Sequence, residues 1–187
     1  MWIKYPRTFH LPWSLGATND DRVLSSVDHF EGKEIVITEK MDGENTTLYR
    51  DYLHPRSLTY SPHPSRDWIK QFHAQLRHEI PEGWRICGEN LFAKHSIHYR
   101  DLRSYFYAFS IWTDKNMALS WDETVEYCQL LGIRTVPLIH RGIFREDKTR
   151  RLLSRAVDFK SVEGYVIRLA AAFAYEDFST SVAKYVR

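Results

Sequence analysis

The run Ile35-Val36-Ile37-Thr38-Glu39-Lys40 is apolar and β-prone until it closes on a lysine, and Met41-Asp42-Gly43 follows. A strand ending in Lys-x-x-Gly holds one amine at the rim of a sheet, and the glycine lets backbone and ligand approach closely. That placement suits a nucleophile, although a lysine before a glycine turn is most often a solvated charge. Four further segments set a polar or aromatic residue at a fixed place in an apolar strand. Ile86 to Leu91 presents Glu89 after Gly88, and Tyr105 to Trp112 is a strand with rings on both faces, Phe109 among them. Glu163 precedes Gly164 in the run to Arg168, and Lys184 sits inside the terminal stretch Val182 to Arg187. Taken singly, a Glu-Gly pair is a turn and an aromatic strand is core. Their joint order carries the information: nucleophile lysine, glutamate beside glycine, aromatic strand, Glu-Gly strand, lysine strand. An amine near its reference pKa of about 10.4 is protonated at neutral pH, so a lysine nucleophile needs neighbouring positive charge to release its proton.

These residues need strands to carry them. Strand signals cover Glu34 to Thr38 and Thr46 to Asp51, and the intervening Met41 to Asn45 predicts an antiparallel hairpin around the lysine turn. After a loop marked by Pro55, Pro62 and Pro64, Ser65 is the predicted cap of a helix. Trp68, Ile69, Phe72 and Leu76 fall at its helical spacing and Pro81 closes it. Strands are predicted over Trp84 to Phe92, Tyr105 to Trp112, Thr135 to His140, Gly164 to Leu169 and Val182 to Val186. Helices are predicted from Ser120, with Glu123 completing a capping box, to Leu131 before Gly132, and from Glu146 to Val157. The opening 30 residues, rich in Pro, Ser, Gly and Asp, read as an irregular extension. Hairpins interleaved with helices predict an α+β fold, antiparallel sheets with helices packed outside.

Composition narrows the class. The chain has 187 residues, 43% hydrophobic and 14% aromatic, enough for one well-packed domain. A net charge of only +2 excludes a uniformly basic nucleic-acid coat while leaving local patches open. Cys87 and Cys128 are the only cysteines, far apart and without metal spacing, which fits a reduced compartment. The amino-terminal residues lack the apolar core of a signal peptide, and no apolar run approaches the roughly 20 residues of a membrane span. The expectation is a cytoplasmic globular domain with no membrane partner; oligomeric state leaves no trace in the sequence.

From about Glu34 to its end, the chain resembles the covalent nucleotidyltransferases, the superfamily of ATP-dependent DNA ligases, RNA ligases and mRNA capping enzymes. Within it, the pattern is most similar to the RNA ligases that seal nicks in duplex RNA. Asn45 stands two residues after the motif glycine, where DNA ligases usually carry arginine, and Pro55-Arg56-Ser57 follows the RNA-ligase pattern. The resemblance implies an ATP-dependent ligase with magnesium or manganese, acting on RNA with 5′-phosphate and 3′-hydroxyl ends, nicked duplex included. It implies that Lys40 attacks the α-phosphorus of ATP to give a lysyl-adenylate. Glu39 would lie at the adenine end, Asn45 at ribose or phosphate, and Arg56 at the 5′-phosphate or ribose. Glu89 would contact the ribose, Phe109 would stack on adenine, Glu163 would sit at the metal and the lysine, and Lys184 at the α-phosphate. DNA ligase, capping-type guanylyltransferase and a catalytically silent nucleotide- or RNA-binding module are the alternatives.

The chain departs from the pattern in places. Ser110 follows Phe109 where the family often has aspartate, and Lys184 is followed by Tyr185-Val186-Arg187 rather than by a second lysine one residue on. Arg187 is the candidate substitute. Asp42 matches DNA-ligase and capping-enzyme usage and keeps the polynucleotide open. Relatives generally carry a further carboxy-terminal domain, and this chain stops three residues after Lys184. His95 and His98 have His-x-x-His spacing without the carboxylate or cysteine partners of a zinc site. Lys94, His95, His98 and Arg100 are candidates for substrate phosphates, or else a solvated loop. Lys148, Arg151 and Arg155 recur at helical spacing with Arg141, Arg145 and Arg150 nearby, either a nucleic-acid footprint or a charged solvent face. Ser14 is a candidate to approach the nucleotide.

Overall fold

Strand alternation places Ile35 and Ile37 on one face of their strand, and Val36, Thr38 and Lys40 on the other. The computed structural model, which describes residues 1–187, builds two sheets around that division. Its strands are β1 (Phe9–His10), β2 (Glu34–Lys40), β3 (Glu44–Leu48), β4 (Leu53–Pro55), β5 (Arg85–Asn90) and β6 (Phe106–Trp112). They continue with β7 (Met117–Ala118), β8 (Arg134–Thr135), β9 (Leu138–Ile143), β10 (Gly164–Leu169), β11 (Phe173–Ala174) and β12 (Val182–Val186). One sheet runs β1-β12-β10-β2-β9, and the other β11-β7-β6-β5-β3-β4 with β8 added beside β6. Pairing is antiparallel except β1 with β12 and β6 with β8.

Helices cover the outer faces. α1 (Asp67–Leu76) and α2 (Trp121–Leu131) bury Ile69, Leu76 and Cys128 with Leu48, Ile86, Phe106, Ala108 and Ile111 of the second sheet. α3 (Glu146–Ala156) lays Leu153 on Ile35, Ile37, Tyr165 and Ile167 of the first. α2 begins with the expected capping box, Ser120 and Glu123 exchanging bonds, and stops where Gly132 takes a left-handed φ of 70°. Apolar clusters also fill the space between the sheets: Val36, Met41, Tyr107 and Val136 on one side, Cys87, Trp112, Phe173 and Val182 on the other. No helix is long and apolar enough to cross a membrane.

Three local expectations are corrected. The lysine turn does not close a hairpin: β2 pairs with β10 and β9, β3 with β4 and β5, so Met41 to Gly43 carries the chain from one sheet to the other. A β-prone run on both sides of a glycine leaves the partner of each strand undetermined. Thr135 to His140 is likewise two strands, because Pro137 cannot donate to a ladder and the chain crosses sheets there. Ser65 is not the α1 cap; it lies in a preceding 3₁₀ turn, Pro64–Arg66, and donates its own N–H to the His63 ring that caps that turn.

Candidate active site

The crossing at Met41 to Gly43 puts Lys40 at the edge of the cleft between the sheets. Lys40 pairs with Gly164 on β10, and a Cβ on Gly164 would fall on the Tyr185 carbonyl oxygen of β12, so only glycine lets the strands close here. Gly43 serves the same end: a Cβ there would collide with the Asn90 carbonyl of β5, so its close approach is to backbone and not to ligand. Lys40 Nζ donates to Glu163 Oε2 at 2.5 Å, and both side chains are about three-quarters buried. Lys184, on β12, lies across the same face through Val166, its register partner on β10. Burial, and secondly the nearby Lys40 charge, hold the Lys184 amine below the usual lysine range.

A cavity of about 260 Å³ opens between the sheets, and Glu39, Lys40, Asn45, Arg56, Glu89, Phe109 and Lys184 all line it. Seven of the predicted residues thus converge from both sheets. Asn45 and Glu89 are cross-strand partners on β3 and β5. Glu89 Oε1 accepts from the Gly43 N–H at 3.1 Å, and burial pushes its carboxyl up to about 7, with Lys40 and that bond pulling against the rise. Burial also raises Glu39. Asn45 Oδ1 and Arg56 Nε are buried with no hydrogen-bond partner, a rare condition for polar atoms beside a cavity and one that a polar ligand would relieve.

Phe109 reaches the cavity through a bulge. Cys87 pairs with Ser110 and Gly88 with Ala108, leaving Phe109 as the extra residue on β6. Consecutive residues Phe109 and Ser110 therefore both face the cavity, which alternation alone forbids.

Glu163 does not line the cavity; it touches it through Lys40. Ser14 is not at the site: its hydroxyl donates to the Val186 carbonyl, accepts from the Val186 N–H and lies 2.7 Å from His10 Nδ1, clamping β12. Arg187 points elsewhere, over the Phe159 ring. Several lining residues had no assigned role in the sequence. Tyr5, Arg7 and Asp21 come from the irregular extension, where no periodicity marks them. Arg168 is fully enclosed, bonded to the Leu119, Leu169 and Phe109 carbonyls without a carboxylate, and burial lowers it to about 10. Its charge within the apolar strand Gly164 to Leu169 is the signal that marks it. Asp42 ties down the following loop: Oδ2 accepts from the Ser96 N–H, the Ser96 hydroxyl and the Ile97 N–H, while its own N–H donates to the Tyr99 hydroxyl. Burial pushes Asp42 up, but those bonds outweigh it and hold the carboxyl low.

Two helix-flanked sheets closing on a lysine-lipped pocket define a ligase nucleotidyltransferase domain. The family model for RNA ligase matches residues 33–186, and the chain belongs to that family. Among solved structures, an archaeal ATP-dependent RNA ligase is 16% identical with a TM-score of 0.69, covering 98% of this chain and 48% of its own. A mutant of Naegleria gruberi RNA ligase solved with ATP and Mn is 18% identical, TM-score 0.60, covering 86% and 51%. A putative ATP-dependent DNA ligase from Aquifex aeolicus is 19% identical, TM-score 0.68, covering 100% and 50%. The chain spans about half the length of these structures. No curated protein matches it in sequence.

Proposed function

We propose that this chain is the adenylation domain of an ATP-dependent RNA ligase with Lys40 as its nucleophile. The observation that carries the reading is the Lys40–Glu163 pair set against a cavity that Phe109, Asn45, Arg56, Glu89 and Lys184 line together. In the first step Nζ bonds to the α-phosphorus of ATP while the bond to pyrophosphate breaks. One ammonium proton has to leave first, and Glu163 Oε2 at 2.5 Å is placed to take it. The Lys184 charge faces the site where negative charge develops on the α-phosphate. Phe109 offers its ring to the adenine and Glu39 lies at that end. Asn45 Oδ1 and Arg56 Nε supply a free acceptor and donor for ribose or phosphate, and Glu89 a carboxylate for ribose hydroxyls. AMP then passes from Lys40 to an RNA 5′-phosphate, and a 3′-hydroxyl displaces it to join the ends.

A magnesium or manganese ion would neutralise phosphate charge during transfer. The donor set fits such an ion rather than a caged metal. Glu163 is close enough to Glu89 to disfavour ionisation of the Glu89 carboxyl, and magnesium is typically held by one or two carboxylates plus phosphates. Glu163 would be the main ligand.

The test is transfer of label. With α-labelled ATP, label should pass first to the protein and then to 5′-phosphorylated RNA, while α-labelled GTP should leave both unlabelled. Labelling by GTP in place of ATP would move the chain to the capping enzymes, and sealing of nicked DNA but not RNA would move it to the DNA ligases.

A further inference from the structure

The sequence offers two basic patches, and the structure treats them differently. On the 141–155 patch, Arg141 is held by Glu34 and Asp122, Arg145 by Glu31 and Arg150 by Glu146, while Lys148, Arg151 and Arg155 are exposed without a carboxylate partner. Position sets those three aside: α3 packs on the face of the first sheet opposite Lys40. The loop between β5 and β6 adjoins the Lys40 turn instead. Lys94, His95, His98, Arg100 and Arg103 are all exposed, and none has a carboxylate partner. Asp101 is the only acid among residues 92–105.

The ends of this loop are aromatic. The Leu91 N–H donates to the Tyr105 carbonyl at 2.7 Å and closes its base. There the Phe92 and Tyr105 rings meet edge to face at 5.3 Å, 45% and 40% exposed. Tyr105 is backed edge to face by Trp68, which stacks on Phe72. Exposed rings interleaved with uncompensated cations are the combination that holds single strands, the rings taking bases and the cations phosphates. The loop is also fastened to the nucleophile's own turn, through the Asp42 bonds to Ser96, Ile97 and Tyr99.

We propose that the 92–105 loop is the docking surface for the RNA strand bearing the reacting end, with phosphates on Lys94, Arg100 and Arg103 and a base against Phe92 and Tyr105. This rests on reading Lys40 as the nucleophile of an RNA ligase. Fluorescence anisotropy of the full chain with a labelled, 5′-phosphorylated single-stranded RNA, titrated across a salt series, tests it. The triple variant Lys94→Ala/Arg100→Ala/Arg103→Ala should bind at least tenfold more weakly. Its slope of log K against log salt should be shallower by about 2, since each phosphate on a single strand contributes roughly 0.7. Phe92→Ala should lose about fivefold or more with the slope unchanged. Lys148→Ala/Arg151→Ala/Arg155→Ala should bind within twofold of wild type. AMP uptake from ATP, measured in parallel, should stay within twofold in all three variants, which also reports that they fold. Wild-type binding by the loop triple variant, an equal loss in the α3 variant, or no RNA binding by wild type overturns the proposal. Loop-dependent RNA binding by a chain that takes up no AMP supports the surface and refutes the ligase reading instead.

Discussion

Glu89 is the group whose environment makes the sharpest quantitative demand. Burial raises its carboxyl from 4.5 to about 7, ahead of the opposing pull of Lys40 and the Gly43 N–H. A carboxyl raised on folding stabilises the fold in its protonated form. That contribution is fully present below about pH 4.5 and is lost as pH rises through about 7. The full window corresponds to about 3 kcal/mol, and between pH 5 and pH 8 to about 2.5 kcal/mol. Solvent entering through the cavity makes these upper bounds. In Glu89→Gln the amide oxygen can keep the Gly43 bond and the titration is gone. Urea unfolding of both proteins at pH 5 and pH 8 isolates the effect, since other titrating groups cancel in the difference. The Gln variant should gain on wild type by about 1–2.5 kcal/mol between the two values. A difference unchanged by pH, or one that moves the other way, refutes the claim that Glu89 is a desolvated carboxylate at the cavity wall.

Three further outcomes follow from the same geometry. Glu163→Gln removes the proton acceptor beside Lys40 and should slow AMP uptake by about 100-fold or more, and loss of a charge-assisted bond between partly buried groups should lower the unfolding free energy by about 1–3 kcal/mol. Phe109→Ala should weaken ATP binding about tenfold by calorimetry through lost stacking, while Phe109→Tyr should retain most of it. Gly164→Ala drives a Cβ into the Tyr185 carbonyl and should cost about 1–3 kcal/mol in denaturant unfolding, with loss of activity following loss of the β10–β12 pairing.

What the sequence makes legible is what depends on local pattern. The Ser120–Glu123 box and Gly132 announce both ends of α2, and the apolar runs around Ile35, Ile86, Phe106, Ile167 and Ala183 announce the strands. Seven predicted residues meet at one cavity because six lie on strands and Arg56 follows directly on the end of β4. Pairing partners are less legible, since they are decided between distant segments. Lys40 and Asn45 are a few residues apart yet belong to different sheets, and nothing within Met41 to Asn45 says so. The Phe109 bulge is set by a register mismatch with Cys87 and Gly88. Tyr5, Arg7 and Asp21 reach the site from an irregular segment, which leaves no period to read.

The central claim is that Lys40 forms a covalent bond to AMP. Intact-mass measurement after incubation with ATP and magnesium, followed by peptide mapping, tests it directly. Wild type should gain one AMP, located on the peptide carrying Lys40, and Lys40→Ala should gain none. An equal gain in Lys40→Ala, or no gain in wild type, would contradict the account.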